Sequence, residues 1–257
     1  MTPIVLVIGG SDSSGGAGLV RDVQVLTQFE VRARCVVTAV TAQTDQQVVA
    51  TQYISAEIVR QQMWAALNGG GIDAIKIGML GARATIEAVV ETLPSPDDIP
   101  IVLDPVFASS SGGVLIEESG LSVLRERLIP RVTIATPNLL ESAILLADDP
   151  ATDVPMMISQ AQRLLRLGSR AILLKGGHAT GVEAVDVLST AASLAPVLFR
   201  GPRVNAVLRG TGCALSSAIA ASLAAGVPLA AAYERAKDYV LRALQSSVVR
   251  RRGGSSE

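Results

Sequence analysis

Six short apolar runs recur along the chain, and each ends in small, polar or glycine residues. Ile4–Ile8 leads into Gly9–Gly18, Cys35–Val40 into Thr41–Asp45, and Ala74–Ile77 into Gly78-Met79. Ile101–Leu103 leads to Asp104-Pro105, Val132–Ala135 to Thr136-Pro137-Asn138, and Ala171–Leu174 to Lys175–His178. Apolar runs that do not alternate need cover on both faces, the condition of a buried parallel strand. Between them lie helical stretches: Gly18 to about Phe29, Ala56–Leu67, Thr85–Leu93, Leu121–Leu128, Leu139–Leu146 and Ile158–Leu167. The alternation predicts an α/β fold, a mostly parallel central sheet with helices on both faces. Ligands of such sheets bind beyond the carboxyl ends of the strands, so the polar clusters are themselves the candidate site.

The rhythm breaks after Val182, where the short alternating runs Val185–Leu188 and Val197–Arg200 predict antiparallel edge strands. Two helices follow, Ala214–Ala225 and Leu229–Val249. No repeat or long linker divides residues 1–249, which predicts a single domain, with 250–257 as a frayed, solvated tail. The stretch Gly210–Tyr233 carries no charge and has the length of a bilayer span. Gly226-Val227-Pro228 reads as a break between two helices, so a buried helix is expected there and no membrane partner. The N-terminus lacks the basic segment of a signal peptide, and a cytoplasmic location is expected. A net charge of -1 and 3% aromatic residues give neither a basic field nor stacking platforms for nucleic acid. Cys35 and Cys213 belong to no CxxC pair and His178 is the only histidine, which excludes cysteine-rich or histidine-cluster metal sites.

Arg209-Gly210-Thr211-Gly212-Cys213 opens the charge-free helix. Glycines there let a ligand approach the backbone, and the free N–H groups of a first helical turn make an anion hole. A phosphoryl group in flight suits it, because its charge is spread over three equatorial oxygens. Cys213 is placed where a helix dipole lowers a thiol pKa toward neutrality. The bland alternative is a glycine turn before an inert cysteine. GxxxxGK[ST] and GxGxxG are both absent, so a phosphate-handling enzyme here belongs to another nucleotide-binding class.

Gly9-Gly10-Ser11-Asp12-Ser13-Ser14-Gly15-Gly16-Ala17-Gly18, Thr38-Ala39-Val40-Thr41-Ala42-Gln43 and Lys76-Ile77-Gly78-Met79-Leu80 resemble segments of the hydroxymethylpyrimidine/phosphomethylpyrimidine kinases of thiamine biosynthesis. Asp104-Pro105-Val106, Thr136-Pro137-Asn138-Leu139-Leu140-Glu141, Lys175-Gly176-Gly177-His178 and Gly210-Thr211-Gly212-Cys213 do so too, in family order. The resemblance implies a three-layer α/β/α ribokinase-like fold, and ATP-dependent phosphorylation of a pyrimidine alcohol and then of its monophosphate. It implies that Gly210, Thr211 and Gly212 form the anion hole and that Cys213 is the base. Gln43 would read the aminopyrimidine edge with its donor and acceptor. Ala17, Thr41, Met79 and Val106 would line the ring, with Asp22 as a further polar contact. Lys175 and Asn138 would serve the nucleotide, and Asp104 and Glu141, with Asn138, would hold Mg2+ through hard oxygen ligands. Capping roles for Asp104, Asn138 and Glu141 are the alternative. Asp12 is expected to order its loop, His178 to be a loop hydrogen-bonder, and the assembly to be a homodimer.

The chain departs from the family pattern at Arg209, where histidine is common, and at Ser13, where proline is usual. The loop Phe107–Gly112 lacks a common lysine. Pyridoxal kinase activity on the same scaffold and a non-catalytic pyrimidine-binding protein are the competing functions.

Overall fold

Strands that are apolar on both faces are covered only when the sheet lies between two helical layers, and that arrangement is found. The computed structural model describes residues 2–108, 115–177, 183–204 and 208–253, with side chains to residue 247. The strands are β1 (Ile4–Asp12), β2 (Arg32–Gln43), β3 (Val48–Tyr53), β4 (Ala74–Ile77), β5 (Ile101–Leu103), β6 (Ile134–Ala135), β7 (Ala171–Lys175), β8 (Glu183–Thr190) and β9 (Ser193–Pro202). They form one sheet in the order β3-β2-β1-β4-β5-β6-β7-β8-β9. Pairing is parallel from β2 through β7 and antiparallel for β3, β8 and β9 at the two edges.

The helices are α1 (Gly18–Gln28), α2 (Ala56–Asn68), α3 (Arg83–Thr92), α4 (Glu118–Val123), α5 (Leu139–Leu146), α6 (Val154–Leu165), α7 (Thr211–Ala224) and α8 (Leu229–Gly253). Period-two alternation sends Leu6, Ile8, Ile75 and Ile77 into one apolar layer, against Met63, Ile86 and Leu164 of α2, α3 and α6. Val5, Val7, Val102 and Leu173 enter the other, against Leu26, Ile219 and Tyr233 of α1, α7 and α8. α7 is buried from Ala214 to Ser222, which explains its lack of charge. Among the described residues no helix is long and apolar enough to cross a membrane.

Several boundaries differ from expectation. β1 does not stop at Ile8; it pairs with β2 as far as Asp12↔Thr41. Its glycines serve close approach, since a Cβ on Gly10 would lie 2.9 Å from Met79 Sδ. The hairpin strand β3 was not anticipated: it is an edge strand with half its residues exposed and none buried, so no buried face gives a periodic signal. α6 starts four residues before Ile158 because Asp153 accepts the Met156 N–H as N-cap. The expected helix Leu121–Leu128 is α4 followed by a π turn at Leu124–Leu128. α7 begins at Thr211, so Thr211, Gly212 and Cys213 form its first turn. α8 continues to Gly253, past the expected Val249, and residues 254–257 of the expected tail lie outside the described residues.

Candidate active site

Strand order reverses at β1, which has β2 on one side and β4 on the other, and the polar clusters gather at this end of the sheet. α7 enters from above. Its N-cap, Gly210, has φ 72°, and a Cβ there would lie 2.3 Å from the Gly16 carbonyl oxygen. Both the left-handed backbone and the contact require glycine. The contact joins the β1–α1 loop to the start of α7, where the first-turn N–H groups have no helical acceptor.

The charged groups under that turn come from the carboxyl ends of β5 and β7. Asp104, buried just after β5, accepts from Lys175 Nζ at 2.9 Å and Thr136 Oγ1 at 3.2 Å. Its other oxygen is 3.5 Å from Ser216 Oγ on α7. Burial alone would raise the Asp104 pKa, but Lys175 and Lys76 outweigh it and hold it below the ordinary carboxylate range. Gly212 stands directly over this pair: a Cβ there would be 3.3 Å from Asp104 Oδ2 and 3.5 Å from Lys175 Nζ. Asn138 and Glu141 form a reciprocal capping box at α5, with Asn138 Oδ1 on the Glu141 N–H at 2.9 Å and Glu141 Oε2 on the Asn138 N–H at 2.7 Å. The capping alternative is therefore realised for both residues, while Asp104 caps no helix among the described residues. Burial pushes Glu141 up to about 7, with Asp104 adding to it and Lys175 opposing.

Cys213 corrects an expectation. Its thiol is not depressed by the helix dipole; burial pushes it up to about 11, and Asp22 and Asp104 add to that against Lys76 and the Gly18 N–H. Whole carboxylate charges and desolvation exceed the half-charge of a helix end.

Asp22 is corrected as well. It is fully buried, with Lys76 Nζ 2.9 Å from each of its oxygens and Ser217 Oγ 2.8 Å from one. It offers no polar contact to a ligand. Burial opposes the Lys76 ammonium, but Asp22 outweighs burial and keeps it charged. Removing one partner of such a pair costs about 3–5 kcal/mol, because the other charge stays buried alone. Lys76→Met should lose stability on that scale in urea denaturation, and Lys76→Met with Asp22→Asn should regain most of it. A single variant within about 1 kcal/mol of the parent would contradict the account.

Of the residues expected to line a ring, Met79 and Val106 share one apolar cluster, and Thr41 and Ala17 are held by hydrogen bonds. Met79 packs with Ala39 and Leu115, and Val106 and Tyr53 lie against that cluster. Thr41 Oγ1 donates to the Ser11 carbonyl at 3.0 Å and lies 3.4 Å from Gln43 Oε1. Ala17 is held by its N–H to Asp12 Oδ2 at 3.0 Å. Asp12 orders its loop, accepting from Ser14 and Ala17. Sequence reasoning gave no individual role to Lys76, Thr136, Ser216 or Ser217. Lys76 was findable as the single charge in an apolar strand. His178 and most of the lysine-free loop, residues 109–114, lie outside the described residues.

A model of the family described as phosphomethylpyrimidine kinase matches residues 12–255. A hydroxymethylpyrimidine/phosphomethylpyrimidine kinase of Rhizobium meliloti is 40% identical over 250 residues, covering 96% of this chain and 92% of the relative. The phosphomethylpyrimidine kinase structure from Clostridium difficile superposes with a TM-score of 0.81 at 31% identity, covering 95% of this chain and 99% of that one. An ADP complex of Bacillus subtilis pyridoxal kinase gives 0.83 at 29% identity, covering 93% and 90%. The glycine-capped helix over an Asp–Lys pair, on a ribokinase-like sheet, thus has its relatives among vitamin kinases, and the chain belongs to the phosphomethylpyrimidine kinase family.

Proposed function

We propose that the chain transfers the γ-phosphoryl group of ATP to the hydroxymethyl oxygen of 4-amino-5-hydroxymethyl-2-methylpyrimidine, and in a second turnover to the phosphate of that product, in thiamine diphosphate biosynthesis. In each step an O–P bond forms at the acceptor, the bond from the γ-phosphorus to its bridging oxygen breaks, and ADP leaves. The observation that carries this reading is Gly212, a helix position without a side chain, set over Asp104 and Lys175 and next to a thiol.

The N–H groups of Gly210, Thr211 and Gly212 receive the charge that spreads over the equatorial oxygens. Lys175 approaches the nucleotide phosphates. Cys213, as thiolate, takes the proton of the substrate alcohol. Ala17, Thr41, Met79 and Val106 flank the ring, and Gln43 pairs with its edge. Asn138 acts by holding Glu141 in its capping box.

Asp104 and Glu141 are the residues we assign to Mg2+. Among the described residues no three metal-binding side chains cluster, so the protein alone makes no full coordination shell. Two hard carboxylates fit an ion that keeps several waters and shares substrate phosphates. When bound, magnesium neutralises phosphate charge. A cytoplasmic homodimer is the expected form, on the family resemblance and on the ATP that the reaction consumes.

The test is ATP consumption with hydroxymethylpyrimidine, with its monophosphate and with pyridoxal. Turnover of both pyrimidines at a kcat/KM well above that for pyridoxal is expected. A clear pyridoxal preference would overturn the substrate, and tight pyrimidine binding without ATP consumption would make the chain a binding protein.

A further inference from the structure

Arg209 immediately precedes the N-cap of α7 and turns its guanidinium across the β1–α1 loop onto the β2–β3 turn. Nη1 lies 3.0 Å from Ser14 Oγ, 2.9 Å from the Thr44 carbonyl oxygen and 3.0 Å from Asp45 Oδ1. Nη2 lies 3.2 Å from Asp12 Oδ2. The two carboxylates are unlike. Asp12 is 4% exposed and also accepts from Ser14 and Ala17, so it is a fixed anchor. Asp45 is 84% exposed, and an ion pair that one partner keeps in solvent is weakly held. Nε is buried and has no hydrogen-bond partner among the described residues, a donor that an incoming oxygen would satisfy.

This position matters to a two-step kinase, and its assignment rests on the pyrimidine kinase activity proposed for the chain. In the second step the acceptor is itself a phosphate monoester, whose second pKa near 6 leaves it a dianion at neutral pH. It needs no base, but it must come up against the phosphates of ATP, so it needs a cation on its own side. Lys76 is sealed against Asp22, and Lys175 sits with Asp104 on the nucleotide side. Arg21 turns its Nε to the Gly16 carbonyl. Arg209 is one residue from the anion hole, and its acceptor Thr44 is adjacent to the ring-reading Gln43. Ser13 fixes that stretch, its Oγ accepting the Gln43 N–H at 2.8 Å and donating to the Gln43 carbonyl at 3.0 Å.

We propose that Arg209 binds the phosphate of the monophosphate substrate, which displaces the carboxylate of Asp45 while Asp12 keeps the guanidinium in place. A planar fork of donors matches a phosphate better than it matches one exposed carboxylate oxygen.

Steady-state kinetics of the full chain with each pyrimidine tests this. Arg209→Gln should raise the ratio of the monophosphate KM to the alcohol KM by about 10- to 100-fold, the scale of a lost charge-assisted contact. Arg209→Lys should restore part of it. Asp45→Asn, a surface change that leaves folding intact, should move the ratio the other way by lowering the monophosphate KM. A ratio unchanged in Arg209→Gln would make the residue a loop clasp only and overturn the proposal. If Arg209→Gln does not fold, an unchanged monophosphate KM in Asp45→Asn overturns it instead. Failure of the parent enzyme to phosphorylate either pyrimidine would sink the functional assignment itself, a different result from an unmoved ratio.

Discussion

Cys213→Ala is expected to lower kcat for the pyrimidine alcohol by about 10²- to 10⁴-fold, the range of a positioned general base, and to lower it by less than about tenfold for the monophosphate. The difference follows from the acceptors. An alcohol must lose its proton as it is phosphorylated, whereas a phosphate dianion has none to lose. With its thiol pushed up to about 11, Cys213 is thiolate in roughly one molecule in ten thousand at pH 7. That small fraction has a signature. The alcohol reaction should accelerate about tenfold per pH unit between pH 7 and 9, because the base is gained as pH rises toward its pKa. The monophosphate reaction should change by no more than about twofold over the same interval, as Glu141, pushed up to about 7, completes its ionisation, and the tenfold slope of the alcohol reaction should vanish in Cys213→Ala. Initial rates with saturating ATP against pH measure all three. Equal losses on both acceptors would assign Cys213 to binding or packing instead of proton transfer.

How much of this was legible depended on which physical effect dominated locally. The strands β4, β5 and β7 could be read almost to the residue, because each is buried on both faces and composition alone then marks the run. β3 could not, since a strand with no buried residue carries no hydrophobic pattern. The start of α7 was expected at Ala214, three residues late, because Gly212 sits inside the helix while only Gly210 is its cap. At the site, the positions of Gly212, Asp104 and Lys175 followed from strand ends and a helix start. The environment of Cys213 did not: its thiol is raised first by burial, then acted on by Lys76 and Asp22, which are remote in sequence and meet only when α1 and β4 pack against α7. Asp22 was misplaced for the same reason, as it lies on α1 and its partner Lys76 on β4.

Gly212→Ala should separate catalysis from folding. Glycine within a helix costs roughly 0.5–1 kcal/mol relative to alanine, so nothing in the helix itself favours it. Gly212 has no left-handed backbone to demand it, unlike Gly210. What an added methyl would meet is the active centre: Asp104 Oδ2 at 3.3 Å and Lys175 Nζ at 3.5 Å, contacts that a small shift accommodates. The variant should therefore unfold in urea at or slightly above the parental midpoint. A transferring phosphoryl group has no such latitude, because it needs the N–H groups of this turn at hydrogen-bond distance and the methyl occupies its approach. Loss of one such donor costs about 10²- to 10³-fold in kcat, and that is the fall expected on both pyrimidines, with little change in ADP affinity. Because alcohol and monophosphate share this step, the two losses should match, in contrast to the split expected for Cys213→Ala. A Gly212→Ala enzyme that turns over at the parental rate would remove the phosphoryl group from the mouth of α7, and with it the role given to Gly210, Thr211 and Gly212.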